Sequence, residues 1–379
     1  TGVFPNHLAL SDNFAGNNWP MDQCWYGIRN IEPTDHGGSS HGTHTTGTVL
    51  GLDPATNDTI GVAYNSKWIA SDPVASGDSD VLAPTDFMDV FQWTLNPDRD
   101  EETTNDVPRV INNSWGYDYN LAQEFSPCTM VEAEILITLE LAGICSPFSA
   151  GNSGPNPATL GFPALLAYNL VNPMAIAAIN SSNNIADFSS RGPGPCIDEE
   201  GSLKIKPEVS APGVSVRSCV GNDSYASLSG TSMACPHVAG ALLLLIEAFP
   251  QASAYELKYS LYHTAHDLGD EGEDNDYGMG IIDVFAAYNY LAETYEPEPP
   301  INNDYDLEVF IVSPIKNQII CANNFQTNFE FEIVNQGTEI IDEFEIDVLL
   351  NDPDQLFSFY CQKYSKLEPC YKLYQNLKY

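Results

Sequence analysis

The sequence predicts an α/β protein with a mainly parallel central sheet, followed by the start of a second, all-β domain. Up to about residue 293, short apolar runs alternate with helix-like stretches and glycine-rich turns, which is the pattern of a parallel α/β sheet. A proline-rich acidic segment at 294–304 interrupts this pattern and is typical of an interdomain linker. Residues 305–352 then alternate in period two, as antiparallel strands do.

Composition restricts the partners that the protein can have. A hydrophobic share of 43% and a charged share of 17% predict a folded chain rather than a disordered one. The 14 Lys and Arg stand against 52 Asp and Glu, and the formal net charge of −38 repels phosphate backbones and anionic lipids. We therefore expect no nucleic-acid partner, and we interpret the acidity as a solvated surface suited to extracellular surroundings. The oligomeric state is left open.

Neither the cysteines nor the apolar runs indicate a metal site or a membrane span. The cysteines form no CxxC pair and show no metal-ligand spacing, and their odd number leaves at least one without an intrachain partner. The longest strongly apolar stretch, Ala239 to Ala248, is too short to span a bilayer. Because the chain opens on TGVFPNHLAL without an initiator Met, we expect that a preceding segment has been removed.

Four runs of the first domain are predicted as buried strands, and one internal stretch as a helix. The strands are SKWIAS at 66–71, PRVINNSW at 108–115, GICSPFSA at 143–150 and MAIAAI at 174–179. The helix is MVEAEILITLELAG at 130–143, which Gly143 closes. This alternation is what predicts the parallel sheet.

A serine stands at the entrance to the longest apolar helix. Ser232 lies in SLSGTSMACPHVAG, and the run that follows is apolar nearly all round, as a buried helix is. At a helix N-terminus, unpaired N–H groups and the helix dipole stabilise developing negative charge, which the oxyanion of an acyl transfer requires. Taken alone, however, Ser232 is better explained as an N-cap serine.

A histidine and an asparagine occupy comparable positions. His41 begins the predicted helix of SSHGTHTTGTVLG, after the capping candidates Ser39 and Ser40. His41 and His44 lack the spacing and the intervening Glu of the helical zinc motif, so a metal pair is not indicated. Asn152 follows a predicted strand in the turn SAGNSGP, where its amide could project into a cleft. As isolated residues, both have ordinary structural explanations.

Together these segments resemble the subtilisin-like serine proteases, the subtilases. HGTH, INNSWG, SAGNSGP, ADFSSRGP, PEVSAPG and GTSMACPHVAG occur in the family's order over residues 1–293. The resemblance implies a three-layer α/β fold with a mainly parallel central sheet, and hydrolysis of peptide bonds through an acyl-enzyme. It implies Ser232 as nucleophile, His41 as general base and Asn152 as oxyanion donor. It also implies that Ser114, Trp115 and Gly116 pair with extended substrate, and that Ala150 and Gly151 line the adjacent pocket.

One member of the catalytic set is missing from this pattern. In the family, an Asp directly precedes a Thr-Gly-Val-like segment, so the corresponding residue would stand just before Thr1. Asp35 resembles a different family position, and no catalytic Asp is assigned within the chain. We expect a secreted serine endopeptidase whose chain, as it stands, has little activity. The alternative function is a non-catalytic protein that holds polypeptides in the same cleft.

Two details of the peptidase domain stay open. Trp115 is explained equally well as a pocket wall that favours bulky apolar side chains and as a core residue. The chemistry needs no cofactor. DLGDEGEDNDYG at 267–278 carries six acids and leaves a structural Ca²⁺ open, although a solvated acidic loop explains it better.

The segment after the linker is predicted to carry no chemistry. VFIVSP, FEIVNQGTEI and FEIDVLL resemble the opening strands of an immunoglobulin-like β-sandwich. About three strands are too few to close a two-sheet core. Residues 353–379 change character, with four Lys and five Tyr, and we interpret them as a tail that is truncated or lies outside the natural reading frame.

Overall fold

The structure, a computed structural model, divides the chain into two compact units, Thr1–Pro297 and Glu298–Tyr379. It describes residues 1–36, 40–74, 84–100, 102–117, 128, 131–196 and 202–299, together with strands between residues 307 and 378. The described helices belong to the first unit, and the described elements of the second unit are strands.

The first unit combines helices with short strands. Its helices are α1 (Met21–Cys24), α2 (His41–Leu50), α3 (Pro84–Thr94), α4 (Val131–Leu141), α5 (Thr231–Ala248), α6 (Ala254–His263) and α7 (Val284–Ala292). Its strands are β1 (Trp25–Tyr26), β2 (Leu52–Asp53), β3 (Asp58–Thr59), β4 (Ala70–Ser71), β5 (Pro147–Ser149), β6 (Met174–Ile179), β7 (Val209–Pro212), β8 (Val216–Val220) and β9 (Ser224–Leu228).

A parallel sheet of β5, β6 and β7, in that spatial order, forms the centre of the unit. Parallel bridges from Val110 to Cys145 and from Asn113 to Phe148 bring the segment 110–113 alongside β5. Every residue of β6 is buried, because the sheet is covered on both faces. The pairs β2–β3 and β8–β9 are antiparallel and lie outside this sheet. The predicted parallel sheet is confirmed.

Helix α5 lies in the core beside the sheet. Val238, Ala239, Ala241 and Leu242 are fully buried, and the helix packs on α2, β5, β6 and β7. Among the described residues it is the one helix long and apolar enough to cross a membrane, and 67% of it is buried inside the protein. Burial on several sides explains why its sequence is apolar nearly all round.

The predicted elements differ in how completely the structure forms them. MAIAAI is strand β6 in full, and the predicted 130–143 helix is α4, which ends two residues before Gly143 at φ +82°. PRVINNSW pairs only through isolated bridges. The Asn113 side chain donates to the Ile111 carbonyl at 3.0 Å, and such local bonds compete with a regular ladder.

The second unit is described by its backbone. Its strands are β10 (Leu307–Ser313), β11 (Asn328–Asn335), β12 (Ile341–Phe344), β13 (Val348–Asp352), β14 (Gln355–Phe359), β15 (Tyr364–Leu367) and β16 (Lys372–Lys378). They pair antiparallel as β10–β11–β16, β12–β15 and β13–β14. The sequence predicts little strand structure after residue 352. The structure differs there because β14 forms a hairpin with β13, whereas β15 and β16 pair with β12 and β11, which are more distant in sequence. The immunoglobulin-like arrangement stays a prediction.

One disulfide connects described residues. Cys128 bonds to Cys196 across 68 residues of sequence, a pairing that spacing could not predict. Cys24, Cys145, Cys219 and Cys235 are buried free thiols. Burial raises the pKa of Cys145 to about 12, which keeps that thiol protonated at neutral pH.

A buried ion pair joins β7 to the strand beside it. Lys206 is fully buried, and its ammonium donates to Glu208 Oε1 at 2.6 Å and to the Pro173 carbonyl at 2.8 Å. The other Glu208 oxygen accepts from the Ala175 N–H at 2.5 Å. Burial raises the pKa of Glu208, and the Lys206 ammonium opposes this shift. Each charge is thus held by the other and by backbone groups of the sheet.

We predict that Lys206→Met lowers the free energy of unfolding by about 3–5 kcal/mol, because it leaves the Glu208 carboxylate buried without its counter-charge. Denaturant unfolding, followed by tryptophan fluorescence, measures the loss. The exposed Lys67 provides the matched control Lys67→Met, which should change stability little. Equal losses in the two variants would show that the buried pair has no special role.

Candidate active site

The first residues of α2 and α5 lie at the same end of two packed helices. The two helices contact each other, and a Cβ on Gly240 of α5 would meet Val62 Cβ at 2.5 Å and the Val49 carbonyl at 3.2 Å. Nearer the N-termini of the two helices, His44 of α2 lies close enough to His237 of α5 for charges on the two imidazoles to interact. The helices therefore run in the same direction, with His41 and Ser232 at their N-terminal ends.

His41 is held in a largely dry position. Its Nδ1 lies 3.2 Å from Thr1 Oγ1. Burial lowers the pKa of His41 to about 4, and the positive charges of the Thr1 amino group and of His44 add to the effect. Among the described residues no carboxylate hydrogen-bonds to His41. The imidazole is therefore neutral at pH 7 and able to accept a proton.

The start of α2 is fixed by Asp35 rather than by the predicted serines. The Asp35 carboxylate accepts from the Thr43 N–H at 2.8 Å and from Thr43 Oγ1 at 2.7 Å. Ser40 occupies the N-cap position with φ 54° but makes no side-chain cap, because its hydroxyl accepts from the Gly221 N–H instead. Ser39 lies outside the described residues. The prediction of Ser40 as the capping side chain is therefore wrong.

Ser232 is the second residue of α5, as the sequence predicts. Its hydroxyl donates to the Ser114 carbonyl at 3.2 Å, and no hydrogen bond joins it to His41. The helix begins after Gly230, which has no side chain to cap it. Among the described residues no acceptor is bonded to the Ser232 N–H. This N–H group is free to bind an anion at the positive end of the helix.

Asn152 is oriented by Thr231, a residue that the sequence analysis did not single out. The Asn152 Oδ1 atom accepts from the Thr231 N–H at 2.9 Å and from Thr231 Oγ1 at 3.0 Å. Thr231 Oγ1 also accepts from the Gly151 N–H at 3.2 Å. Two donors on Oδ1 fix the amide, so the Asn152 side-chain NH₂ is directed away from Thr231. The position of Thr231 directly before Ser232 was the only sequence signal for it.

The segment 114–116 runs beside the start of α5. Ser114 Oγ donates to the Ser232 carbonyl at 2.9 Å, and the Asn112 side chain donates to Ser114 Oγ at 3.0 Å. Gly116 is exposed, and its backbone leads to Tyr117, which pairs with Phe162. The structure thus brings Ser114 and Ser232 into reciprocal contact, and the pairing of the segment 114–116 with substrate stays a prediction.

An apolar pocket opens beside this segment. Trp115, Tyr117, Phe87 and Phe162 contribute to its lining. Trp115 stacks on Phe87 with ring centroids 4.1 Å apart and meets Phe148 edge-on at 5.8 Å. Trp115 thus packs on the aromatic core and also contributes to the lining of this pocket, and its effect on substrate choice stays a prediction.

The two residues after β5 differ from the prediction in one respect. Ala150 is fully buried, so its side chain belongs to the core and does not line an open pocket. Gly151 adopts φ +110°, and a Cβ there would lie 2.8 Å from Ser190 Oγ. A side chain at 151 would therefore be strained, and the glycine allows the chain to turn into Asn152.

Two carboxylates of the acidic loop 267–278 accept hydrogen bonds from the loop's own backbone. Asp274 accepts from the N–H groups of Asp270, Asp276 and Tyr277, and Asp267 accepts from the Gly272 N–H. The described residues contain no group of three or more His, Cys, Asp or Glu side chains that could hold a metal ion. Loop geometry thus accounts for these acids.

These contacts assemble the elements of nucleophilic acyl transfer. A hydroxyl lies at the start of a helix, a free N–H and an oriented amide lie next to it, and a neutral imidazole begins the adjacent helix. The three site residues predicted at helix starts and in the turn, Ser232, His41 and Asn152, all lie at this end of the unit.

Comparison with known proteins agrees with this arrangement. Residues 1–280 match the family model described as Subtilase family, Peptidase_S8. Bacillopeptidase F of Bacillus subtilis (strain 168) is 34% identical over 310 residues, which cover 77% of this chain and 20% of that protein. Subtilisin DY of Bacillus licheniformis is 35% identical over 253 residues, covering 66% of this chain and 78% of the relative. The chain thus spans 20% of the length of bacillopeptidase F and 78% of the length of subtilisin DY.

A solved structure is also similar to this chain in its fold. Sphericase superposes with a TM-score of 0.59 and 27% identity, over 75% of this chain and 89% of that structure. The family match covers most of the first unit, where the parallel sheet, α2 and α5 lie. The chain belongs to the subtilase family of peptidases.

Proposed function

We propose that the protein is a serine endopeptidase that hydrolyses peptide bonds through an acyl-enzyme on Ser232. The observation that carries this proposal is the group of donors around Ser232. The free N–H of Ser232 and the side-chain NH₂ of Asn152, which Thr231 orients, stand beside the hydroxyl. A non-catalytic cleft has no chemical need for an oriented oxyanion donor next to a nucleophile.

The reaction follows from this geometry. Ser232 Oγ attacks the peptide carbonyl carbon while His41 accepts the hydroxyl proton, and the two donors stabilise the oxyanion. The intermediate collapses as His41 gives the proton to the leaving amine. Water then hydrolyses the ester by the same steps. The Ser232 hydroxyl must turn from the Ser114 carbonyl toward His41 for this to begin.

We infer that the chain by itself reacts slowly, because His41 lacks a carboxylate partner among the described residues. Thr1 Oγ1 is the group beside His41 Nδ1, and a hydroxyl does not stabilise an imidazolium as a carboxylate does. The orienting acid, on this proposal, is a residue directly before Thr1.

Polypeptides are the substrates that the cleft suits. The exposed backbone at Gly116 can pair with an extended chain, and the aromatic pocket at Trp115 favours bulky apolar side chains. We propose an extracellular location, which the Cys128–Cys196 disulfide and the acidic surface support. No cofactor takes part in the chemistry.

One observation favours a second candidate, a peptide-binding protein without catalysis. Ser232 is bonded to Ser114 and not to His41, so the nucleophile is not activated in this structure. A binding protein would retain the cleft and the pocket but would not form a covalent bond at Ser232.

Labelling by a fluorophosphonate decides between the two candidates. We predict that the protein with an Asp added directly before Thr1 is labelled at Ser232 and that Ser232→Ala in the same chain abolishes labelling, because only an activated hydroxyl attacks phosphorus at a useful rate. Peptide mass spectrometry locates the label. Ser227→Ala, at an exposed serine of β9, is the matched control and should label normally. Absence of label in the folded chain with the added Asp favours the binding function.

A second prediction concerns Thr231. Replacing Thr231 by Val removes one of the two donors to Asn152 Oδ1, so kcat should fall roughly tenfold, the equivalent of one hydrogen bond of about 1.4 kcal/mol. KM for a peptide substrate should change little. Thr231→Ser keeps the hydroxyl and should restore most of the rate. A raised KM with unchanged kcat would show that Thr231 serves substrate binding instead.

A third prediction concerns the acid. An Asp added directly before Thr1 should raise kcat/KM on the order of 10⁴-fold over an added Asn. It should also raise the pKa of His41 from about 4, since a carboxylate favours the imidazolium. Because the base must be neutral, the acid limb of the pH profile then moves to higher pH. Identical profiles for the Asp and Asn chains would place the acid elsewhere.

A further inference from the structure

Asn113 is a buried polar residue that the proposed mechanism does not use. It is 2% exposed, and its backbone is fixed on β5. Its N–H donates to the Pro147 carbonyl at 3.1 Å, and its carbonyl accepts from the Ser149 N–H at 3.0 Å. Because the side chain is closed off from solvent, its amide has to find hydrogen-bond partners within the protein.

The Asn113 amide bridges the residues two positions before and after it. Its Oδ1 atom accepts from the Trp115 indole Nε1–H at 3.2 Å, and its Nδ2 atom donates to the Ile111 carbonyl at 3.0 Å. An indole N–H can only donate, and a backbone carbonyl can only accept. Turning the amide over would therefore place donor against donor and acceptor against acceptor. The amide has one orientation, in which its oxygen is committed to Trp115.

The Trp115 ring is restrained by apolar contacts as well as by this hydrogen bond. It stacks on Phe87 with ring centroids 4.1 Å apart and an angle of 11° between the planes, and it meets Phe148 edge-on at 5.8 Å. Apolar contacts are weakly directional, so by themselves they leave a stacked ring able to slide or turn within its own plane. The bond from Nε1 to Asn113 removes this freedom, because it fixes the direction of one edge of the indole.

The pocket to which Trp115 contributes has a lining of aromatic and aliphatic side chains. Such a lining selects an occupant by shape and apolar contact rather than by charge. A ring that is already fixed needs no ordering when an apolar side chain enters, and pre-organisation of this kind strengthens binding. A ring free to move would have to be ordered by the ligand, at the expense of affinity. The bond to Trp115 therefore affects how well the pocket distinguishes large from small side chains.

We propose that Asn113 is a positioning residue for selectivity: by holding the Trp115 indole, it makes the pocket favour bulky apolar side chains of a bound polypeptide. The inference rests on the proposed binding of an extended polypeptide beside the segment 114–116. It gives Asn113 no contact with the substrate and no part in bond cleavage. Loss of the Asn113 oxygen should therefore weaken the binding of peptides whose side chain fills the pocket, and leave other peptides unaffected.

Peptide binding to the full chain carrying Ser232→Ala tests the proposal, because this chain cannot cleave what it binds. Fluorescence anisotropy gives Kd for pairs of labelled peptides that carry Phe or Ala at one position, and the position where Phe most strengthens binding is used. Asn113→Leu keeps a similar volume but removes the acceptor. It should lower the preference for Phe over Ala about threefold to tenfold, the loss of one hydrogen bond. Kd of the Ala peptide should stay the same.

Trp115→Phe supplies the second arm of a double-mutant cycle. It keeps an aromatic ring next to Phe87 but removes the indole N–H, so it should lower the preference at least as much as Asn113→Leu does. Adding Asn113→Leu to Trp115→Phe should cause no further fall, because the bond is already absent. The matched control is Asn289→Leu at an exposed position of α7, which should keep the full preference.

Four results would overturn the proposal. The first is an unchanged preference in Asn113→Leu, and the second is a parent chain that does not prefer Phe to Ala at any position. Equal weakening of both peptides in Asn113→Leu would show that the residue only supports the fold. A further fall in the double variant would show that Asn113 acts independently of Trp115. Because binding is measured in a chain that cannot cleave, these results are distinct from labelling at Ser232, which tests the peptidase function.

Discussion

The burial of α5 between the parallel sheet and α2 is the constraint on which the site depends. A Cβ at Gly240 of α5 would lie 3.2 Å from the Val49 carbonyl of α2 and would collide with Val62 in the loop after α2, so the close packing of α5 at this point requires glycine. With the helices in register, His41 and Ser232 begin them at the same end. The distance between base and nucleophile is therefore set by packing several turns away from either residue.

Hydrogen bonds then fix the positions of the two helix starts that packing brings together. Asp35 anchors the start of α2 through Thr43, and Thr231 orients Asn152 at the start of α5. Neither helix start uses a capping side chain from the residue just before it. The N–H groups of both helix ends are instead shared with residues from other parts of the chain, which couples each helix start to the tertiary fold. At α5, this leaves the Ser232 N–H available to an oxyanion.

The buried cations of the first unit are each paired with a carboxylate, although the chain as a whole is strongly acidic. The buried Lys206 and Lys258 are each paired at 2.6 Å, with Glu208 and Glu140 respectively. Arg191, which is also buried, lies 3.3 Å from Asp276, so three of the 14 basic residues are paired inside the described part of the first unit. The net charge of −38 repels other anions, nucleic acids included.

By itself, the sequence determined the parallel α/β class, strand β6, and the helix starts at His41 and Ser232. These features depend on local patterns, namely a continuous apolar run and motifs at helix entrances, which neighbouring residues decide. Only the tertiary structure decided that Asp35 rather than Ser40 anchors α2, that Thr231 orients Asn152, that Ala150 is buried, and that Cys128 pairs with Cys196. Each of these depends on residues distant in sequence, and no local pattern specifies which distant group will arrive.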